Sequence, residues 1–314
     1  MSDTVPPYRP LPSDLPPSAL DRLAKIQSSG IWGPLPSDEF AAIRVTGFEP
    51  VGQVYGSAVY DIDYSGGPGC AAEGIRYARG PYQPRAYAAA SRQGLYSSFG
   101  PLVDTLCKAR RKAIGRMAKE CALLGGHGVV AVRLTTGRYP VGEVKFEATG
   151  IAVRAPAAPP LRQPFTSDLS GQEFAKLVMR GWMAAGLVLG ISIEARHDNW
   201  TTNAQTRWRA GNTEVDGYTK LFNGTRACAR TELAKDAQRL GAEGIVIADM
   251  EMRVWERECE DIIRGRDHVV EATMVGTAIV RFSRSAEGPV PAAVPIMSLD
   301  PQRRHAPRTR AAAT

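Results

Sequence analysis

The segment Glu39-Phe40-Ala41-Ala42-Ile43-Arg44-Val45-Thr46-Gly47-Phe48 returns later in the chain as Glu173-Phe174-Ala175-Lys176-Leu177-Val178-Met179-Arg180-Gly181-Trp182. The match runs on without a gap, so that Gly52, Val54 and Gly56 find Gly186, Val188 and Gly190 at the same offset. A second block pairs Leu124-Gly125-Gly126-His127-Gly128-Val129-Val130 with Leu240-Gly241-Ala242-Glu243-Gly244-Ile245-Val246. A third pairs Gly150-Ile151-Ala152-Val153-Arg154 with Gly276-Thr277-Ala278-Ile279-Val280-Arg281. Three blocks in one order mark an internal duplication, and whatever the chain folds into must be built twice.

Each copy reads as the same series of elements. A short helix (38–45 and 171–179) leads into a Gly/Val-rich strand (51–60 and 185–194), whose apolar residues fall on both faces and predict burial on both sides. A variable loop follows, and then a long helix (101–124 and 218–240). Leu102, Leu106, Ala109, Ala113, Met117 and Leu124 recur at helical spacing in the first copy; Ala229, Leu233, Ala237 and Leu240 do so in the second. Such a stripe packs on a sheet and leaves Arg110, Arg111, Arg116 and Lys119 in water. Gly125 and Gly241 end these helices as left-handed caps. A strand (128–134 and 244–255), a hairpin and a last strand (143–154 and 269–282) complete the copy. The fold class is α+β: a tandem duplication of a β-α-β-β module with a mostly antiparallel sheet and one long helix per copy.

The rest of the chain frames these copies. Residues 1–17 hold six prolines and are expected to be an extended lead. Ser18 to Ile26 reads as a helix, with Ser18 as cap and Asp21 closing a capping box. The first module is placed at 18–154, a Pro/Ala linker at 155–165, the second module at 166–284, and a mobile basic tail at 285–314. Of 314 residues 44% are hydrophobic and 23% charged, so a core can form and wholesale disorder is excluded. Five cysteines without CxxC spacing indicate free thiols in a reducing compartment. The opening residues lack a basic-then-apolar leader, and the longest apolar run, Trp182 to Ile193, is shorter than the roughly 20 residues of a membrane helix. The cytoplasm is therefore expected, with no membrane association.

The Gly-Trp/Phe…Gly-x-Val-x-Gly strand, the helix ending Leu-Gly-Ala-Glu-Gly-Ile-Val-Ile and the last strand with Gly276-Thr277-Ala278 together resemble the YbjQ family. These are small bacterial proteins labelled as heavy-metal-binding domains. The resemblance covers nearly all of the second copy and, more weakly, the first. It implies β-α-β-β subunits associating into ring-like pentamers, and a metal ion as ligand. Two fused copies and a long insert at 61–98 depart from the single-domain form.

Candidate chemistry is sparse. The hairpin of the second copy carries Glu256, Glu258, Cys259, Glu260, Asp261, Asp267 and His268, and pairing around Gly265 would set Asp261 opposite His268 with Cys259 two residues along. A thiolate, an imidazole and carboxylates suit zinc or a related ion, although a charged hairpin also guards a sheet edge. Otherwise no cofactor is expected. His127 stands where the other copy has Glu243, which suggests an exposed helix end. No catalytic motif is present: no GxSxG, HExxH, P-loop or GxGxxG after a strand. Lys108, Arg110, Arg111, Lys112, Arg116 and Lys119 form a basic helix surface, but 32 acidic residues stand against 39 basic ones and no nucleic-acid motif appears. In the insert, Tyr77, Tyr82 and Tyr87 with Arg85 have the composition of a protein interface, so that insert or the basic tail would meet a protein partner.

These readings favour a non-enzymatic, oligomeric binding or scaffold protein. A heavy-metal-sequestering protein is the alternative, and an enzyme with a site at a subunit interface the second alternative. One helix covers one face of each sheet, and apolar residues such as Leu187, Val188, Met252 and Val254 would need neighbouring subunits to bury them.

Overall fold

In the computed structural model the residues described are 15–29, 36–62, 96–138, 143–156, 158, 161, 163–198, 200–259 and 265–282. In chain order the elements are α1 (Pro17–Ser29), α2 (Ser37–Val45), β1 (Glu49–Tyr60), β2 (Tyr96–Ser98), α3 (Gly100–Leu123), β3 (Gly128–Arg138), β4 (Val144–Arg154) and β5 (Phe165–Thr166). They continue with α4 (Gly171–Met179), β6 (Trp182–His197), α5 (Trp200–Gln205), a 3-10 turn (Trp208–Ala210), α6 (Asp216–Arg239), β7 (Gly244–Cys259) and β8 (Gly265–Arg281). One sheet has the order β1-β4-β3-β5 and the other β2-β6-β8-β7. All pairings are antiparallel except that of β3 with β5. The architecture is α+β.

The Gly-x-Val-x-Gly spacing is explained by how closely the long helices approach. A Cβ on Gly56 would stand 2.0 Å from the carbonyl oxygen of Ala113 in α3, and one on Gly190 would stand 2.2 Å from that of Ala229 in α6. The intervening Val54 and Val188 are fully buried beneath the same helices. Gly125 and Gly241 take φ of +71° and +64°, the left-handed geometry that ends each helix. Bulges fall at matched places too, between Pro50 and Gly52 and between Ala184 and Gly186.

The matched halves also share a polar device. In the first, the Glu120 carboxylate of α3 accepts the Tyr55 N–H on the side of β1 that no described strand pairs with. In the second, the Asp236 carboxylate of α6 accepts the Leu189 N–H at the edge of β6. An arginine from an earlier helix meets each: Arg22 of α1 pairs with Glu120, and Arg111 of α3 with Asp236. His127 and Glu243 are likewise matched in role. His127 is buried rather than exposed, its Nδ1 accepting the Ala155 N–H, and Glu243 accepts the Arg281 N–H. Each closes the chain just past, or at the end of, a last strand.

Strand alternation decides where the cores lie. Leu106, Ala109, Ala113, Met117 and Cys121 of α3 pack with Val54, Ala58, Phe146 and Ala148 of their own sheet. The same core takes in Leu187, Ile191, Ile193 and Ala195 of β6 and Val269 of β8. The opposite face of β6 presents Val188, which packs with Ala229 and Leu233 of α6. Helix α3 is thus held between two sheets, and the apolar face of the second sheet is buried by the first module of the same chain. This corrects the expectation that subunits must cover Leu187, and α6 accounts for Val188. At about 1.5–3 kcal/mol for each large side chain buried, the shared core is a major source of stability.

Other expectations change with it. β1 alternates buried and half-buried residues, with Val59 exposed, so of these two strands β6 alone is buried on both faces. Helix α1 begins at Pro17, whose fixed φ and missing N–H suit a first turn, and Ser18 lies inside it. Ser170 and Glu173 form the full capping box, at the start of α4. Arg110 is buried, its guanidinium 5.1 Å from the Phe146 ring centroid. Residues at the end of the expected linker become β5, which lies along the edge of β3.

Candidate functional site

His268 was the one histidine of the expected metal hairpin, and its surroundings are the most polar cluster in the second module. The register of β7 on β8 sets Glu256 opposite His268 and Cys259 opposite Gly265. The turn therefore lies before Gly265 rather than around it, and Glu256 takes the place opposite His268 that was expected of Asp261. Asp261 lies outside the described residues, as do Tyr77, Tyr82, Tyr87 and Arg85 of the insert.

Because β6, β8 and β7 are neighbours, the rungs Arg196–His268 and His268–Glu256 make a row across three strands on the face beneath α6. One residue on, His197 and Asp267 point to the other face. The His197 Nδ1 lies 2.9 Å from the Asp267 Oδ1, and these side chains are only 4% and 0% exposed. That buried pair links the ends of β6 and β8.

The row beneath α6 is more open and gathers residues distant in sequence. Asp198 follows β6 directly, its N–H donating to the Arg266 carbonyl and prolonging the ladder by one bond. Its Oδ2 lies 3.0 Å from the His268 Nε2. Tyr218, in the first turn of α6, brings its hydroxyl 2.6 Å from the same Nε2 and donates to the Asp198 Oδ2 at 3.1 Å. The tyrosine and imidazole rings are tilted to each other by 53°, with centroids 4.3 Å apart. On the other side of the imidazole, Nδ1 is 3.8 Å from the Glu256 Oε1, which also pairs through its second oxygen with Arg266. Arg196 donates to the Thr202 hydroxyl of α5, and Gln205 of α5 donates to Asp216 at the start of α6. Burial, followed by the Asp198 charge, pushes the Tyr218 phenol well above its ordinary value.

This arrangement can move a proton among three groups. Asp198 and Tyr218 stand 70 and 50 residues from His268 in sequence, and no local spacing signalled them. Among the described residues no group of three or more His, Cys, Asp or Glu side chains is arranged to hold a metal ion.

The described free cysteines are Cys107, Cys121 and Cys228. Burial pushes the Cys121 thiol up to about 12, and it donates to the Gly128 carbonyl. Burial and the neighbouring Glu194 push Cys228 up to about 11. Thiols held protonated in this way make poor metal ligands and nucleophiles. The basic surface of α3 is broken up: Arg110 covers Phe146, Arg116 donates to the Ser57 carbonyl, and Arg111 is paired with Asp236.

Residues 179–281, most of the second module, match the family model YbjQ, described as "Putative heavy-metal-binding". Over 242 residues the chain is 29% identical to an encapsulin nanocompartment protein of Mycobacterium tuberculosis, in an alignment covering 74% of this chain and 82% of that protein. No solved structure matches the chain. Among the described residues no helix is long and apolar enough to cross a membrane.

Proposed function

We propose that the chain is a non-enzymatic scaffold protein that assembles with copies of itself, using β7 as the contact. The observation that carries this reading is the asymmetry of two matched edges. In the first module the edge of β3 is covered: β5 pairs with it, the Ala131 N–H donates to the Leu169 carbonyl and the Val132 N–H to the Ser167 carbonyl. In the second module β7 is the outer strand of its sheet and pairs only with β8 among the described residues. Its apolar residues Ile247, Met250 and Val254 are 49%, 43% and 50% exposed. A long edge with unpaired backbone groups and half-exposed apolar side chains is a template for a further chain.

The similarity to a protein named for a nanocompartment supports a role in assembly. Burial of the second sheet within the chain lowers the drive from sheet faces, so the edge is where association would occur. Light scattering on the full chain at micromolar concentration should give a mass that is a multiple of about 34 kDa, and Met250→Lys combined with Val254→Lys should return it to the single-chain mass. A wild-type protein that is monomeric under those conditions ends the proposal.

A further inference from the structure

The two copies treat one sheet edge differently at matched positions, 127–132 and 243–248. In the first copy a covering segment lies on the edge. The Phe165 N–H donates to the His127 carbonyl and the Ser167 N–H to the Val129 carbonyl, while the Ala131 and Val132 N–H groups donate to the Leu169 and Ser167 carbonyls. His127, Val129, Val130 and Val132 are buried there. In the second copy Glu243, Ile247 and Ala248 are exposed, and Gly244, Ile245 and Val246 are half-buried. Gly128 shows what the cover presses on, since a Cβ at that position would stand 2.2 Å from the Phe165 ring. Gly244 is a glycine at the matched place, yet the nearest described atom to a Cβ there belongs to Ile279, at 3.3 Å. The second copy thus keeps the space for a covering side chain, and no described residue fills it.

The chain beyond β8 holds a segment of the same make-up. Pro164-Phe165-Thr166-Ser167-Asp168-Leu169 is matched by Pro295-Ile296-Met297-Ser298-Leu299-Asp300, with the last two residues in reverse order, and a Pro/Ala-rich stretch leads to each. The points of departure match as well: Val153 stands opposite Gly128 near the end of β4, and Ile279 opposite Gly244 near the end of β8. Residues 282–295 have to span what 155–164 span in the first copy, so reach is ample. We propose that residues 296–300 add to the edge of β7 in their own chain, as a short parallel strand over positions 243–248. Ile296 takes the place of Phe165 above Gly244, and Ser298 that of Ser167. Their N–H groups meet the Glu243 and Ile245 carbonyls, and the Ile247 and Ala248 N–H groups meet the carbonyls of Asp300 and Ser298. Pro295 and Pro301 bound the strand, so no residue between them lacks an N–H that the edge requires. Strand addition of this kind draws its affinity from main-chain hydrogen bonds and its selectivity from the side chains the edge has room for. The short tether holds the segment at an effective concentration of order millimolar, which favours its own edge over that of a second copy. The added strand ends before Met250 and Val254, so it goes beyond the assembly reading and does not rest on it.

The test is amide hydrogen exchange on the full chain, followed by NMR at Ile247 and Ala248. The variant Met250→Lys with Val254→Lys is run alongside, so that self-assembly through β7 is removed from the comparison. Both amides should exchange slowly in each protein. Ser298→Pro, which removes the N–H facing Ile245, should speed them by at least about tenfold. Ala293→Pro, ahead of the added strand, should leave them unchanged, and the amide of buried Val270 should stay slow throughout as the sign of an intact fold. Exchange at Ile247 and Ala248 that Ser298→Pro does not alter overturns the proposal. So does protection that grows with protein concentration in the double-lysine variant, since it marks a segment donated by a second copy. A wild-type chain that proves monomeric ends the assembly reading and leaves these expectations as they are.

Discussion

Glu120 is a carboxylate with 1% of its side chain exposed, held by the Arg22 guanidinium and by the Tyr55 N–H. Burial outweighs these partners and pushes its carboxyl above the ordinary 4.5. The folded chain then binds this proton more tightly than the unfolded chain does. Its contribution to stability is fully present below about pH 4.5 and declines as pH rises through the folded value. Glu120→Gln keeps an acceptor for Tyr55 but does not titrate, so urea unfolding should show a flatter pH profile across that window than in wild type. Equal slopes for the two proteins would refute the assignment. Glu120→Ala leaves the Tyr55 N–H and Arg22 without their partner and should cost about 2 kcal/mol. The stripe of α3 set by Leu106, Ala113 and Met117 continues at i+3 and i+7 onto Glu120, so its place on the buried face is legible, but its partners, far off in sequence, are not. What exposes its role is the matched Asp236, which meets Leu189 in the same manner.

At the level of elements, helices and strands follow from periodicity and from the Leu-Gly helix ends, because those signals arise within a few residues. Gly190 shows how sharply they are specified. Gly190→Ala would press a methyl group into the α6 backbone, and it should destabilise the chain by about 3 kcal/mol, read from denaturant midpoints. Gly56→Ala should do the same through α3. An element as short as β5 has no such signature, since two residues carry no alternation, and its place on β3 is decided by the other strand. The candidate site was legible through His268 and Glu256 of the hairpin. Its partners come from the turn after β6 and the first turn of α6, and the sheet register that brings them together is a property of three strands at once. The capping box at Ser170 and Glu173 was legible as Ser-x-x-Glu before an apolar helix, whereas Ser18 and Asp21 offer similar chemistry one step inside a helix that Pro17 has already begun.

At the level of the whole molecule, the core around α3 draws on both sheets. The described residues should therefore unfold in one cooperative transition, with fluorescence and circular dichroism midpoints coinciding. A fragment beginning at residue 163 would expose Leu187, Ile191 and Ile193 on β6, and it should aggregate or remain partly folded where the full chain does not. Two separable transitions, or a well-folded fragment, would show that the modules are stable independently. Sequence alone could not anticipate the shared core, because the same apolar face of β6 would serve equally well against a neighbouring subunit. Ten residues, 155–164, separate β4 from β5. A covalent tether of that length holds its two ends at an effective concentration of order millimolar, whatever the protein concentration in the tube. Contact between α3 and β6 consequently survives any dilution, while contact through β7 must follow mass action.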